Sequence, residues 1–284
     1  MALQILIQGF VLSGLYALIA VGFTMIFSVG RVLNLAYGVY IMLGGYIYYA
    51  ALQEAGLPVF ASFILAILAG VTFGLLTYLL LVRRLEDNPI AVEISTLILA
   101  VVMQALIVVI FGAAPKTMWP VIRGVLRFEG ISVTMNILLA TGVSWVVLGS
   151  LMAFVRYTHL GRAIRAVSMD RKGAVISGIE PSFISMVTWA LSGAFGAIAG
   201  VFFATFTQLD SHMWVFPLII SVAVVIVGGI GSIVGSLIAA HIIGFVETIT
   251  TTIIAAELRG VSTMLLIILV LLIRPKGLFG RAEL

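Results

Sequence analysis

Long apolar stretches alternate with short polar breaks along almost the whole chain. Most of these stretches approach or exceed the roughly 20 residues that a membrane-spanning helix needs, and they lack the alternation of a barrel strand. The predicted spans are residues 3–28, a second span ending near 53, 58–82, 90–112, 136–155, 182–207, 214–227, a span ending near 252, and 260–273. The pattern predicts an all-α polytopic membrane protein, a single transmembrane domain over 1–284 with about nine helices (roughly 8–10).

Two polar, glycine-bearing breaks interrupt this pattern in opposite halves of the chain. One covers residues 30–38 and the other residues 228–236. Backbone that is not helical is tolerated at membrane depth only where protein or a water-filled cavity surrounds it. The breaks therefore predict either re-entrant or broken helices beside a path through the membrane, or plain turns at its edge.

A few residues in or near these stretches are candidates for lining such a path. Thr96 and Gln104 lie in the same predicted span at a spacing that puts them on roughly one helical face. Polar side chains inside a membrane either line pathways or form hydrogen bonds between helices, and both interpretations stay open here. The candidates are Asn34, Tyr37, Thr96, Gln104, Gly228 and Gly229.

Residues 113–135 form a long connection between two predicted spans. Apolar and polar residues alternate on both sides of Glu129 and Gly130, which indicates a small β-hairpin. One predicted span separates this outer loop from Arg83 and Arg84, and another separates it from the basic segment that follows. The loop is therefore expected on the opposite side of the membrane from both, as a small periplasmic hairpin.

The segment 157–181 is a charged, helix-forming interruption of the apolar pattern. Gly178 is a natural end for a helix, and Pro181 suits the first turn of the next one. A loop whose basic residues only set the topology explains the segment, and so does an amphipathic helix that contacts a soluble partner. Its charged residues are Arg162, Arg165, Asp170, Arg171 and Lys172. A continuous helix would place on one face Arg162, Arg165, Met169 and Lys172.

Composition supports the membrane assignment and limits the other classes. Hydrophobic residues make up 63% of the chain, charged residues 9%, and the mean hydropathy is +1.29, so a soluble surface is excluded. The net charge of +4 comes from basic residues in loops beside spans, which favours membrane orientation over nucleic acid binding. By that rule Arg274, Lys276 and Arg281 place the C-terminus in the cytoplasm, and the number of spans places the N-terminus outside.

No pattern in the sequence predicts catalysis by this chain. It has no Walker motif, no paired nucleophile and base, and no cluster of metal ligands, since Asp210 and His212 lack a third ligand. A proton or ion relay through the membrane would have to use Glu93, His241 and Glu247. We therefore expect neither a catalytic residue nor a metal site, and no cofactor in this chain.

Four motifs in this order resemble one family of membrane proteins over essentially the whole chain. They are LNLAYGVYIMLGGY, THLGRAIRAVSMDRKGAVISGIEP, VGGIGSIVGS and RPKGLFG. The set resembles the high-affinity branched-chain amino acid family of ATP-binding-cassette (ABC) importer permeases, and is closest to the first of its two permease subunits. The resemblance implies a transport subunit, not an enzyme, in the bacterial inner membrane.

The resemblance also implies partners and a coupling segment. The partners are a second permease subunit, two cytoplasmic ATPases that bind ATP and magnesium, and a periplasmic substrate-binding protein that docks on the outer hairpin, with lipid around the bundle and no nucleic acid. The segment from Gly161 to Gly178 would sit in a cleft of the ATPase. By position its residues are Gly161, Arg162, Arg165, Asp170, Arg171 and Gly178.

The substrate is left open because the chain departs from the family pattern at two places. Tyr37 and Val39 stand where relatives commonly carry a histidine and an acidic residue, and the fourth span reads AVEISTLILAV where relatives show a run like Thr-Ile-Gly. The same family serves branched-chain and related amino acids, urea, short amides and small organic or aromatic acids. An ATP-independent secondary transporter or channel is the alternative from a different class.

Overall fold

The computed structural model describes residues 2–128, 131–229 and 231–279. Within these ranges the chain forms α-helices and one two-stranded antiparallel sheet. The helices are α1 (Ala2–Gly30), α2 (Tyr37–Tyr49), α3 (Val59–Thr77), α4 (Arg83–Leu85), α5 (Pro89–Phe111), α6 (Met135–Tyr157), α7 (His159–Met169), α8 (Arg171–Ile176), α9 (Pro181–Phe206), α10 (Val215–Gly228), α11 (Ile233–Ile249) and α12 (Val261–Ile273). The strands are β1 (Val125–Phe128) and β2 (Ile131–Thr134). Short π-helical segments extend three helices: α2 over Ala50–Glu54, α3 over Tyr78–Val82 and α11 over Thr250–Ile254.

Six helical stretches among the described residues are long and apolar enough to cross a membrane. They are α1, α3 continued through α4, α5, α6, α9, and α11 with its π-helical extension. The helices α10 and α12 are apolar but shorter. The chain is therefore an all-α polytopic membrane protein, as predicted, whereas about nine crossings stays a prediction. The ends of the predicted spans agree closely with the observed helix ends.

Helices α1 and α9 form the centre of the bundle. In their most apolar windows, 83% of α1 and 72% of α9 are buried, against 17% of α5. Small residues allow this packing: a β-carbon on Gly200 would overlap the carbonyl oxygen of Ile41 in α2, and one on Gly44 would meet the backbone of Ala197. Close backbone approach through small residues is how membrane helices associate, because apolar burial gives little advantage in lipid. Helix α9 therefore packs on its neighbours through small residues.

Residues 31–36 connect α1 to α2 as non-helical backbone, which is exposed at Arg31 and mostly buried from Val32 onwards. Arg31 turns the chain with a positive φ of 51°, and Asn34 is fully buried. The Tyr37 hydroxyl at the start of α2 lies against Gly22 of α1, which is roughly 12 Å from the end of α1 at Gly30 at 1.5 Å per residue. Helix α2 therefore begins within the bundle, which favours the re-entrant interpretation of this break over a plain turn.

The second glycine-rich break joins two neighbouring helices. Helix α10 ends at Gly228, Gly229 takes a positive φ of 96°, and α11 begins at Ile233 behind the N-cap Ser232. Close contacts between Gly228 and Gly235 bring the two helices together. This break is thus a turn between helices, in contrast to the buried connector at 31–36.

The two ends of the bundle carry different structures. Helix α6 has 23 residues and separates the β-hairpin from α7 by roughly 35 Å. We call the end with α4, α7 and α8 the basic end, and the end with β1 and β2 the hairpin end. The predicted hairpin is confirmed, with Val125 opposite Thr134 and Phe128 opposite Ile131, and its turn at 129–130 lies outside the described residues. A backbone bridge from Lys116 to Leu209 ties the loop before β1 to the segment after α9.

Candidate functional site

The basic segment folds as two short helices that are joined at Asp170. The Thr158 hydroxyl caps α7 by accepting from the amide of Gly161 at 2.9 Å. Asp170 has extended backbone angles, ends α7, and accepts from the amide of Lys172 at 2.9 Å as the N-cap of α8. The prediction of one continuous helical face that includes Met169 and Lys172 was therefore wrong, because an aspartate that bonds the next helix's free amides favours a new start.

Helix α7 is amphipathic. Gly161, Ile164 and Val167 are buried and pack towards α6, α1 and α9, whereas Arg162 and Arg165 are exposed. Gly161 sits so close to the end of α6 that a β-carbon there would overlap the backbone of Phe154. Movement of this helix would therefore press directly on the two central helices of the bundle.

Helix α8 is tied at both of its ends. The Arg171 guanidinium binds the Glu86 carboxylate at 2.8 Å, which links α8 to the segment between α4 and α5. At the other end, Gly178 takes a left-handed φ of 78° and the amide of Ile179 bonds the carbonyl of Ala174, closing the helix. Pro181 then begins α9, as predicted. The coupling candidates thus form one unit that leads straight into a central helix.

The structure brings four of the six path candidates to the start of α2 and its neighbours. The Thr96 hydroxyl accepts from the amide of Leu35 at 3.1 Å, beside the buried Asn34. Gln104 accepts from the indole nitrogen of Trp214 at 2.6 Å, and the Trp214 carbonyl faces Gly38 in α2. The predicted shared face of Thr96 and Gln104 is observed, and on it helix α5 bonds the connector and the start of α10.

Several buried polar atoms around the start of α2 make no hydrogen bond within the part of the chain that the structure describes. Buried polar groups normally have a partner, so a group of them without one marks a polar region in an apolar bundle. Tyr40 lies between Tyr37 and Phe73 in edge-to-face contacts. The atoms are Asn34 Nδ2, Tyr37 Oη, Tyr40 Oη and Ser192 Oγ. We call these four residues the polar cluster.

Gly228 and Gly229 lie apart from the polar cluster, at the basic end. Gly228 accepts from the amide of Phe279, and Gly229 meets Gly277 so closely that a β-carbon on Gly277 would overlap it. The segment after α12 is in this way held against the end of α10. Their small size serves this backbone contact.

Sequence reasoning missed a buried hydrogen-bond network at the hairpin end. Glu247 in α11 is 1% exposed and its carboxylate accepts from Tyr16 at 2.5 Å, Thr263 at 3.0 Å and Arg259 Nε at 3.2 Å. The Arg259 guanidinium also lies over the rings of Phe206 and Phe216, at 5.8 and 5.3 Å from their centroids. Glu247, which the sequence analysis names as one of three groups for an intramembrane relay, was the available signal, but its partners lie far along the chain or across a turn.

The three groups considered for an intramembrane relay do not connect. His241 Nδ1 donates to the carbonyl of Leu237 at 2.7 Å, and its ring packs on Trp145. Glu93 lies on α5, and no hydrogen bond among the described residues joins it to Glu247 or His241. A chain of proton carriers through the bundle is therefore not what these side chains form.

An open cleft of about 480 Å³ lies at the hairpin end beside the Glu247 network. It lies between the end of α9, the segment 207–214, the start of α10 and Arg259, which precedes α12. Its lining is Phe203, Thr207, Gln208, Asp210, His212, Met213, Phe216 and Arg259. Two lining residues, Met213 and Phe216, are close to Trp214 in the sequence, and the Trp214 carbonyl meets Gly38 in α2.

Comparison with known proteins gives a consistent result. The sequence profile described as "Branched-chain amino acid transport system / permease component" matches residues 5–273. The chain is 29% identical to the high-affinity branched-chain amino acid transport system permease protein LivH of Escherichia coli, over 99% of this chain and 96% of that protein. It is 27% identical to the corresponding protein BraD of Pseudomonas aeruginosa, over 99% and 96%. It is 23% identical to the fructose import permease protein FruG of Bifidobacterium longum, over 70% and 62%. No solved structure matches the chain.

Proposed function

The chain belongs to the branched-chain amino acid transport permease family, and from this premise we propose that it is one permease subunit of an ABC importer for branched-chain amino acids. The match covers nearly the whole chain, so it includes every element described above. The subunit would form half of the translocation path, and it is a transport subunit, not an enzyme.

The importer needs further subunits. They are a second homologous permease that makes a heterodimer, two cytoplasmic ATPases that hold ATP and magnesium, and a periplasmic binding protein that delivers the substrate. In this assembly the basic end faces the cytoplasm of a bacterial inner membrane and the hairpin end faces the periplasm. About nine crossings then leave the N-terminus in the periplasm and the C-terminus in the cytoplasm.

The observation that carries this proposal is the α7–α8 unit. Its apolar face packs on the bundle, and Arg162 and Arg165 stay exposed at the basic end. Closure of the ATPase dimer would push on this exposed face, and α7 would transmit the force to α1 and α9. A rigid-body tilt of the bundle would then open the path alternately to each side.

The polar cluster, together with Thr96 and Gln104 of α5, is the proposed lining of the path within this subunit. Asn34, Tyr37, Thr96 and Gln104 surround backbone that is not helical, and such backbone supplies polar groups to a passing substrate. A substrate group could replace the missing partners of Asn34 and Tyr37. Gly228 and Gly229 would not line the path themselves, and would act by allowing α10 to pack on α11 and on the segment after α12.

Purification of the chain in mild detergent from its native membrane tests the class. We expect ATPases with Walker motifs and a second hydrophobic subunit to copurify, as identified by mass spectrometry. A chain that purifies alone and transports in vesicles without ATP, following a proton or sodium gradient, would instead be a secondary transporter. Uptake of urea, short amides or aromatic acids in place of leucine would keep the class and change the substrate.

Variants of the α7–α8 unit test the coupling. Arg165→Ala and Asp170→Ala should leave the subunits assembled but lower ATP-driven uptake and the ATPase stimulation by the loaded binding protein. Lys276→Ala is the matched control, since it removes an exposed positive charge at the same end outside this unit. Normal uptake in both test variants would contradict the coupling role.

A further inference from the structure

We propose that the cleft at the hairpin end is a binding site for the substrate as a zwitterionic α-amino acid, with Arg259 for its carboxylate and Asp210 for its ammonium group. This inference rests on the proposed function, because it names the site at which the subunit receives what the binding protein releases. No motif of the sequence marks the cleft, and helices α10 and α11 separate Asp210 from Arg259 along the chain.

Arg259 is positioned to bind an anion. Its guanidinium has five N–H donors, and Nε uses one of them on Glu247. Within the described residues the Nη groups make no hydrogen bond, the side chain is 37% exposed, and it borders the cleft. The buried Glu247 and the rings of Phe206 and Phe216 hold the guanidinium in place, so little freedom is lost when a carboxylate binds.

Glu247 does not compete for this role. Its two oxygens already accept from Tyr16, Thr263 and Arg259, and it is almost completely buried. The Glu247 carboxylate is therefore inside the protein and holds the Arg259 guanidinium, which reaches the cleft. A planar guanidinium with free donors matches the two oxygens of a carboxylate.

Asp210 supplies the opposite charge. Its Oδ1 accepts from the amide of His212 at 2.6 Å and lies 3.3 Å from that residue's Nδ1. Both contacts use Oδ1, so Oδ2 has no hydrogen bond within the described ranges and can accept from an ammonium group. The carboxylate is about one third exposed, at 34%, and it borders the same cleft as Arg259.

The rest of the lining suits an apolar side chain. Phe203 and Phe216 stack at 6.1 Å between centroids, and Met213 lies beside them. A volume of about 480 Å³ lies in the range of small-molecule sites, and an apolar wall with a few placed polar groups is their usual composition. The neighbouring Trp214 contacts Gly38 of α2, so the cleft lies next to the helix that carries Tyr37 and Tyr40 of the polar cluster.

Chemical protection of a cysteine tests the site in the assembled importer. The chain has no cysteine, so Gln208→Cys places a single thiol in the cleft, and Ala113→Cys places a control thiol at the hairpin end outside it. The rate of modification by a membrane-impermeant thiol reagent is measured in proteoliposomes without the binding protein. The probes are L-leucine, L-leucinamide, which lacks the carboxylate, and 4-methylpentanoate, which lacks the ammonium group.

We expect leucine to protect Gln208→Cys and not Ala113→Cys. Each analogue should need an about 10- to 100-fold higher concentration for half protection, the range of a hydrogen bond to a charged group. Asp210→Asn should remove the advantage of leucine over 4-methylpentanoate. The pair Glu247→Gln with Arg259→Gln, which leaves no buried charge unpaired, should remove its advantage over leucinamide.

Equal protection by all three probes would overturn the proposal, and so would discrimination that survives both sets of variants. Modification that responds to the content of anionic lipid and not to leucine would identify a lipid phosphate as the anion and also overturn it. Uptake driven by ATP is measured in the same vesicles. If leucine does not protect Gln208→Cys although the unsubstituted importer takes up leucine normally, this site alone is rejected. If the unsubstituted importer shows no ATP-driven leucine uptake, the proposed function is rejected.

Discussion

The backbones of Gly193 in α9 and Gly70 in α3 touch, so that a β-carbon on either glycine would overlap the carbonyl oxygen of the other. Neither residue can carry a side chain without separating the two helices. Helix α9 also meets α2 in this way, at Gly200 and Ile41. Glycine contacts therefore set how closely α9 approaches α2 and α3.

We predict that Gly193→Ala lowers the stability of the bundle by about 1–3 kcal/mol, because inserting a methyl group into packed backbone forces the helices apart. The measurement is thermal unfolding in detergent, with size-exclusion chromatography used to quantify the protein that stays folded after heating. Gly142→Ala on α6 is the control, since a β-carbon there meets nothing within 4 Å. It should be neutral or slightly stabilising, and equal losses in both variants would contradict the packing argument.

The ion pair of Glu247 and Arg259 should behave as a unit. Arg259→Gln leaves the carboxylate buried without its cation and should cost about 3–5 kcal/mol. Glu247→Gln together with Arg259→Gln should recover much of that loss, because neither charge remains. Thermal unfolding of the two single variants and the double variant gives the coupling, and additive losses would show that the pair is not linked.

The bonds of α5 should control how firmly this helix is held. Helix α5 contacts few other helices. Two hydrogen bonds join it to the rest of the bundle, one between Thr96 and Leu35 and one between Gln104 and Trp214. Gln104→Leu should raise hydrogen exchange in α5 and at the start of α10. Ser95→Ala on the same helix is the control, because the Ser95 hydroxyl bonds only within its own helix. Unchanged exchange in Gln104→Leu would mean that other contacts anchor α5.

Arg171 and Glu86 should contribute to coupling more than to stability. The pair joins two segments at the basic end, and exposed ion pairs are worth only about 0–1 kcal/mol. Arg171→Glu should therefore reduce ATP-driven uptake with little change in thermal unfolding. Restoration of uptake by Arg171→Glu combined with Glu86→Arg supports the link, and no restoration would assign the loss to the charge of α8 alone.

The long helices could be predicted because residues that favour a helix terminus bound their apolar runs. Asn88 and Pro89 begin α5, and Pro181 begins α9. The break at Asp170 was in principle visible, since aspartate is a favoured N-cap, but the regular spacing of basic residues continued through it. The two local preferences oppose each other here, and the N-cap hydrogen bond of Asp170 is favoured over a continuous helix.

Contacts between distant parts of the chain could not be predicted. Trp214 bonds Gln104, 110 residues away in the sequence, and Tyr16 bonds Glu247, 231 residues away, and no periodicity links such pairs. The depth at which α2 begins depends on Tyr37 meeting Gly22, which only the packed structure shows. The polar cluster and the cleft follow from those contacts, so sequence reasoning named some of their residues but not their arrangement.

The buried connector 31–36 has a consequence for how the protein is made. The helices on either side of it, α1 and α2, both pack on α9, and α9 is complete only once the ribosome has passed Phe206. At about 5–20 residues per second, roughly 8–30 s separate the synthesis of α2 from that of α9. During this interval the nascent chain cannot release α1 and α2 into lipid as a finished pair. The membrane insertion machinery must hold them until the second half of the chain arrives.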